Sequence, residues 1–214
     1  VTAVLAAMVS VTPALNLQAV ASPLAQGQAE TPELRASAAA TAAGERVEVV
    51  EARTERETVF ANPDGTTFTL EKSIVPVRVA PRGEWVEPDA ALVRHADGSV
   101  GPKAAAVDLV FSAGGDGADL VTIAEGAQSV SLGWPGVLPA PRLDGERAVY
   151  ENVLPDVNLI LTATVEGFRQ VLEVETPEAA ANPALRSIEY QLGAESLTVR
   201  PGVGGGVDAV DVNS

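Results

Sequence analysis

The side chains able to do acid–base, nucleophilic or metal chemistry are few and scattered. The single histidine, His95, stands two residues before the turn dipeptide Asp97-Gly98. A serine hydrolase needs a serine activated by a histidine base that an acid orients. No Gly-x-Ser-x-Gly elbow occurs in the chain, so His95 reads as a surface loop residue. Glu55 with Glu57 and Glu173 with Glu175 are paired carboxylates at i, i+2. That spacing sets each pair on one face of a strand, whereas a glycosidase holds its two acids across a cleft. Asp116 and Asp119 share a glycine-rich loop beginning at Gly114, and such hard oxygen ligands in a tight loop make it the weak Ca²⁺ candidate. It matches no complete EF-hand or nonapeptide repeat, so a plain turn is the favoured reading. Trp85 and Trp134 are the candidates for ligand contact, as a stacking platform for a sugar. Neither has a second aromatic close in sequence, so a core or rim role is the simpler account. The absence of cysteine excludes disulfides, thiolate zinc sites and cysteine nucleophiles. The glycines at 202, 204, 205 and 206 lack the Gly-Lys-Ser/Thr of a phosphate loop. No catalytic residue and no cofactor other than Ca²⁺ is expected.

These residues must be carried by a scaffold whose nature the patterning indicates. The 214 residues carry a net charge of −15, which argues against nucleic acid and anionic membrane surfaces as partners. Hydrophobic residues make up 46% and aromatics 4%, so Val, Leu and Ala must fill the core. From Val47 onward, apolar and polar residues alternate and turn signals recur about every ten residues, the mark of an all-β fold of antiparallel, sandwich-like sheets. One hairpin is expected around Glu166-Gly167, with Val165 facing Phe168, Leu161 facing Leu172 and Leu159 facing Val174. A second is expected around Asn62-Pro63-Asp64-Gly65. Residues 74–80 read as an edge or bulged strand because Pro76 cannot donate to a ladder. Further strands are expected at 91–94, 107–111, 120–124, 130–134, 147–150, 187–192 and 197–199, and a short helical turn or loop at 178–185. The β region spans 47–200, as one module or as two small units, 47–112 and 118–200. A Gly-rich connector, 201–214, follows, although the alternation from Val207 looks like the opening of another strand.

The N-terminal stretch reads as a leader, disordered or helical. No residue from Val1 to Ala29 is charged, and residues 1–14 are mostly Val, Ala, Leu and Met. Ala19-Val20-Ala21 places small residues at −3 and −1 for a signal-peptidase cut before Ser22, which makes 1–21 a signal peptide with a truncated n-region. The run to Pro13 falls short of the ~20 apolar residues a membrane span requires. Residues 22–46 read as an Ala-rich flexible spacer in which 36–43 could be briefly helical.

Three stretches carry a family resemblance. They are Glu51-Ala52-Arg53-Thr54-Glu55-Arg56 with Phe60 to Thr66, Gly83-Glu84-Trp85-Val86-Glu87-Pro88-Asp89 with Asp97-Gly98-Ser99, and, most specifically, Tyr150-Glu151-Asn152-Val153-Leu154-Pro155-Asp156-Val157-Asn158-Leu159 continuing to Gly167-Phe168. Together they resemble the N-terminal β module of large secreted actinobacterial surface proteins, whose downstream parts are laminin-G-like jelly rolls, wall-associated YD repeats or polymorphic-toxin tails. The resemblance covers about 48–199. It implies a non-catalytic structural or interaction module, secreted or at the cell surface, whose partners are further domains of its own polypeptide or cell-wall glycan. A carbohydrate- or cell-wall-binding module and a fragment of a secreted hydrolase are the alternatives. Exposed Trp85 and Trp134 on one flat face would favour the first, and two carboxylates facing across a deep cleft the second.

Overall fold

The computed structural model describes residues 31–81, 83–117, 119–202 and 206–211. The leader, with its cleavage site before Ser22, lies outside them. The described chain is mostly antiparallel β structure, as the alternation predicts, arranged around two separate cores.

The smaller core belongs to residues that were expected to be spacer. Helix α1 (Pro32–Ala43) starts on Thr31, whose side chain accepts the Leu34 N–H, and ends on Gly44 at φ 72. Cap, proline at the first position and left-handed glycine are the ordinary helix punctuation. Ala36 and Ala40, one turn apart, pack on Val49 and Ala61. The flexible-spacer reading is therefore corrected for 32–43: small alanines allow the helix to lie close on the sheet beneath it. That sheet has the order β1 (Val47–Glu48), β2 (Glu57–Ala61), β3 (Phe68–Lys72). Its β2–β3 hairpin turns on the segment read from sequence, with Gly65 at φ 71 and Asp64 accepting from Thr66 N, Thr67 N and Thr67 Oγ1. Those bonds draw the Asp64 carboxyl down to about 2.

Residues 74–80 are not a strand. Apart from a bridge between Val79 and Val86 they lie outside every ladder. Pro76 is buried and supplies no N–H, while Val77 N and Arg78 N both donate to the one carbonyl of Glu55. The apolar alternation does not make a buried face: Val79 is fully buried, but Val75 and Val77 are about half exposed and Ile74 is 90% exposed.

The larger core lies between two sheets. β4 (Asp89–Arg94), β5 (Val100–Ala104), β6 (Asp108–Phe111), β7 (Asp119–Glu125) and β8 (Gln128–Gly133) form a meander. The chain then crosses to a second meander of β9 (Arg142–Asp144), β10 (Arg147–Leu154), β11 (Val157–Thr164) and β12 (Gly167–Val174). A short helix α2 (Pro177–Ala180) and a 3₁₀ turn (Pro183–Arg186) lead back to β13 (Gln191–Glu195), which pairs with β8. The helical turn expected at 178–185 is thus present, whereas of the strand expected at 187–192 only the end pairs. Leu92, Val100, Leu109, Phe111, Leu120 and Val121 of the six-stranded sheet meet Ala148, Tyr150, Leu159, Leu161 and Ala163 of the four-stranded one. This is a β-sandwich core of alternate inward-facing residues. Dividing the β region at 113–117 fails, because β6 and β7 pair across it. The break between cores falls instead between β3 and β4. The connector also folds in part: β14 (Leu197–Pro201) pairs with β15 (Val207–Asp211).

The β11–β12 hairpin has its expected faces but a different register. Ala163 pairs with Phe168, Leu161 with Gln170 and Leu159 with Leu172, so the turn residues are Val165-Glu166. The slip of two residues keeps every side chain on its face. Val165 is held in the turn because its carbonyl accepts Ala106 N of the β5–β6 connection. Arg56, from the segment before β2, reaches Glu166 in the same turn and ties the two parts of the molecule together.

Candidate functional site

The most specific sequence motif, from Tyr150 to Leu159, folds into the end of the β10–β11 hairpin. Tyr150 is fully buried and donates its hydroxyl to the Ser112 carbonyl of the opposite sheet, at 2.8 Å. Burial pushes its phenol well above the usual range, so it stays a donor. Register breaks between Tyr150 and Leu154, and Asn152 within the break has φ 56. Pro155 and Asp156 make the turn, with Asp156 at φ 53, a conformation that Asn and Asp tolerate better than most residues. Asn158, buried on the outer face of β11, accepts Asn152 N through Oδ1 and donates through Nδ2 to Glu173 and Glu175. One amide thus fixes the bulge on one side and, on the other, draws together the carboxylates of Glu173 in β12 and Glu175 just after it.

Around it the outer face of the four-stranded sheet forms a polar trough of about 410 Å³. Val149 and Ile160 floor it, and Arg142, Arg147, Glu151 and the Asn158 group rim it. Glu151 is engaged by Arg142 at 3.0 Å. Glu151 and Glu173 lie on strands separated by β11, hence ~10 Å apart by two strand spacings. They stand side by side on a sheet face and not across a cleft. Such a surface hydrogen-bonds polar groups. The sequence singled out Glu173 and Glu175 as an exposed pair but missed their convergence on Asn158, which no local spacing encodes.

The other candidate residues are dispersed. Among the described residues, no group of three or more His, Cys, Asp or Glu side chains is placed to hold a metal. Asp116 and Asp119 are exposed, and Asp119 opens β7 opposite Gly133. The glycines beside them have a backbone reason: a Cβ on Gly114 would stand 2.7 Å from the Pro139 carbonyl, and Gly115 bridges Leu138 through two hydrogen bonds. His95 is exposed in the β4–β5 turn, its Nδ1 3.1 Å from Ser99 Oγ, while that hydroxyl donates to Asp97 at 2.7 Å. The serine, not the histidine, is the middle member, so the trio is turn wiring and lacks the order of a triad. Glu57 is paired with Lys72.

The two tryptophans do not form one platform. Trp134 is only 6% exposed and packs edge-on against Tyr190, with centroids 5.8 Å apart. Neighbours cover its faces, so it offers no flat surface for stacking. Trp85 is 38% exposed and sits beside the Val79–Val86 bridge. Among the described residues no helix is long and apolar enough to cross a membrane.

Compared with family models, curated proteins and solved structures, the chain has no significant match in any of the three. The class is therefore defined by the fold itself, a two-sheet antiparallel sandwich preceded by a helix-covered three-stranded sheet.

Proposed function

We propose that the chain is a non-catalytic structural and interaction module of an exported, multidomain surface or secreted protein. The observation that carries this reading is the fate of the Tyr150–Leu159 motif. Tyr150, Asn152, Asp156 and Asn158 all act on the fold itself, by linking the sheets, forming a bulge, closing a turn and tying three strands. Residues used in this way build a scaffold. The apolar side chains of Ile74, Val75 and Val77 are meanwhile left at the surface, which suits contact with another domain or chain. The uncharged leader supports export.

Two measurements test the two halves. An epitope-tagged chain in its own host should be reached by an impermeant surface label or recovered from the medium; a tag confined to the cytoplasm sinks the export half. A photo-crosslinking residue at Ile74 should join the chain to a discrete partner or to a neighbouring domain of its own polypeptide. A crosslinker that reacts with nothing beyond solvent sinks the interaction half.

A further inference from the structure

The ladder between β8 and β13 runs from Ser129 opposite Glu195 to Gly133 opposite Gln191, and stops there. Past that point the two chains part. One folds back at once, with Gly136 N donating to Trp134 O at 2.9 Å. The other, residues 187–190, stays extended, with Ser187 at φ −153 and ψ 123, yet joins no ladder. Among the described residues the backbone N–H groups of Ile188 and Glu189 make no hydrogen bond. The strand pattern is nevertheless complete: Ile188 and Tyr190 pack on the core while Ser187 and Glu189 are exposed. This stretch has a strand's alternation and lacks a strand's partner, which makes it a template for one.

Where the chains part there is an apolar groove of about 430 Å³. Trp134, Pro135, Val153, Leu154 and Ile188 supply its apolar wall, and Glu189 is the one charged lining residue among those described. The Trp134 side chain is more than nine-tenths buried, but among the described residues its Nε1–H has no acceptor. It is not sealed in, since no fully buried side-chain nitrogen or oxygen among the described residues lacks a partner. A Cβ at Gly136 would stand 3.6 Å from Nε1 and 3.8 Å from Cδ1, so the bare glycine leaves this edge of the indole open to the groove. Buried indole N–H groups ordinarily find an acceptor. Here none of the described residues supplies it, which leaves the position open to a ligand's oxygen.

We propose that this split is a docking site for an extended, net basic peptide segment. The segment adds as a short strand along residues 187–190, places an apolar side chain in the groove and sets an acceptor oxygen on Trp134 Nε1. The inference rests on the interaction-module reading and supplies its partner chemistry. Backbone pairing gives such an addition its affinity, and a pocket for alternate side chains its selectivity. The charge follows from Glu189 at the lip and from the chain's −15, both of which repel an acidic segment. A sugar would stack on an open ring face, and Trp134 offers only an edge.

The test is an NMR titration of the ¹⁵N-labelled whole chain, with Trp85→Phe used to assign the Trp134 indole signal. The probe is the capped peptide acetyl-Lys-Ile-Thr-Val-Lys-Thr-amide, and its control has both lysines replaced by glutamate. Saturable shifts of the Trp134 indole N–H and of the Ile188 and Glu189 amides are expected, with the control at least tenfold weaker. Gly136→Val should abolish the indole shift. If that variant does not give a dispersed spectrum, Glu189→Lys, an exposed change, should reverse the preference between the two peptides. Unmoved indole and amide signals overturn the site, as does a response to chitohexaose with none to the peptide, or a Glu189→Lys chain that keeps the original preference. A crosslink from Ile74 to a partner, with no peptide response here, would remove this site and leave the module reading intact.

Discussion

The sandwich and the helix-covered sheet in front of it are both antiparallel, but they are held by different forces. The sandwich closes two sheets over large side chains, and Phe111, Leu120, Tyr150, Leu159 and Leu161 are all fully buried in it. The front unit buries Ala36, Ala40, Val49 and Ala61, a core with few atoms to remove from water. Ion pairs make up part of the difference. Arg35–Glu51, Arg46–Glu71, Arg53–Glu48, Arg78–Glu48 and Lys72–Glu57 all lie within the front unit, whereas Lys103–Asp89 and Arg142–Glu151 lie in the sandwich. Most of these are exposed and individually weak. The Glu48–Arg53–Arg78 group is the exception, because all three side chains are at least 70% covered and Arg53 grips Glu48 through two bonds of 2.7 Å. A thin core with a polar clamp should respond to charge, salt and acid; a thick apolar core should respond to volume.

The largest effect tests the volume side. Leu161→Ala removes most of a fully buried side chain and is expected to destabilise the sandwich by about 2–5 kcal/mol. Urea unfolding followed by tryptophan fluorescence should show the midpoint fall, and a loss under 1 kcal/mol would mean that the core is looser than its packing implies. Next comes the clamp. Arg78 donates to the carbonyls of Thr54 and Glu57 and to Thr58 Oγ1, at 3.1, 3.0 and 2.7 Å, so it pins residues 74–80 to β2. Arg78→Ala is expected to cost about 2–3 kcal/mol in the front unit, by leaving those acceptors without a partner. Circular dichroism should show the helical signal lost at lower urea while the fluorescence transition stays in place. If both signals move together, the two parts unfold as one body and the contrast drawn above fails.

The same contrast explains what was legible in the sequence. The sandwich strands could be read because their inward positions are large and recur every second residue, as at Val157, Leu159, Leu161 and Ala163. The strand from Val100 to Ala104 was missed because Gly101 and Pro102 interrupt that pattern, and Gly101 is there for closeness: a Cβ would stand 2.8 Å from the Leu109 carbonyl. Helix α1 was missed as a folded element because its buried face is alanine, which no hydropathy pattern separates from a solvated linker. Residues 74–80 misled in the opposite sense, since of their alternating valines Val75 and Val77 face solvent and only Val79 is buried. At the candidate sites, residue types were visible but convergence was not. Asn158 meets Glu173 and Glu175 from another strand, and the opening beside Trp134 depends on where the β8–β13 ladder ends.

A smaller change probes how the two sheets of the sandwich are joined. Tyr150→Phe keeps the ring and deletes only the hydroxyl that reaches Ser112 O across the core. The expected cost is about 1–2 kcal/mol, that of one buried hydrogen bond and the carbonyl it leaves alone. Urea unfolding measures it, and Ser112, whose own N–H still donates to Leu120 O, should keep its place beyond the end of β6. A neutral result would show that apolar packing alone sets the register between the sheets.

Acid produces the smallest effect and separates the regions most sharply. The bond from Arg53 holds the Glu48 carboxyl below its usual value near 4.5, and the Thr67 and Thr66 donors hold Asp64 at about 2. A carboxyl whose folded value is depressed binds fewer protons folded than unfolded. Its stabilising contribution is therefore complete above the unfolded value and is lost as pH falls through the folded one. For Glu48 the loss begins below about 4.5; for Asp64 it extends from 3.8 down to about 2. The depressed acids of the sandwich, Asp89 and Asp97, are held by the Ala91 backbone and by Ser99, each within two residues along the chain and neither by a buried ion pair. In urea titrations at stepped pH, the helical signal should weaken first over this window and the fluorescence midpoint should follow with a shallower slope. Glu48→Gln should flatten the upper part of the helical response and Asp64→Asn the lower. Equal slopes for both signals, unchanged by Glu48→Gln, would show that the clamp around Arg78 is not what distinguishes the front unit from the sandwich.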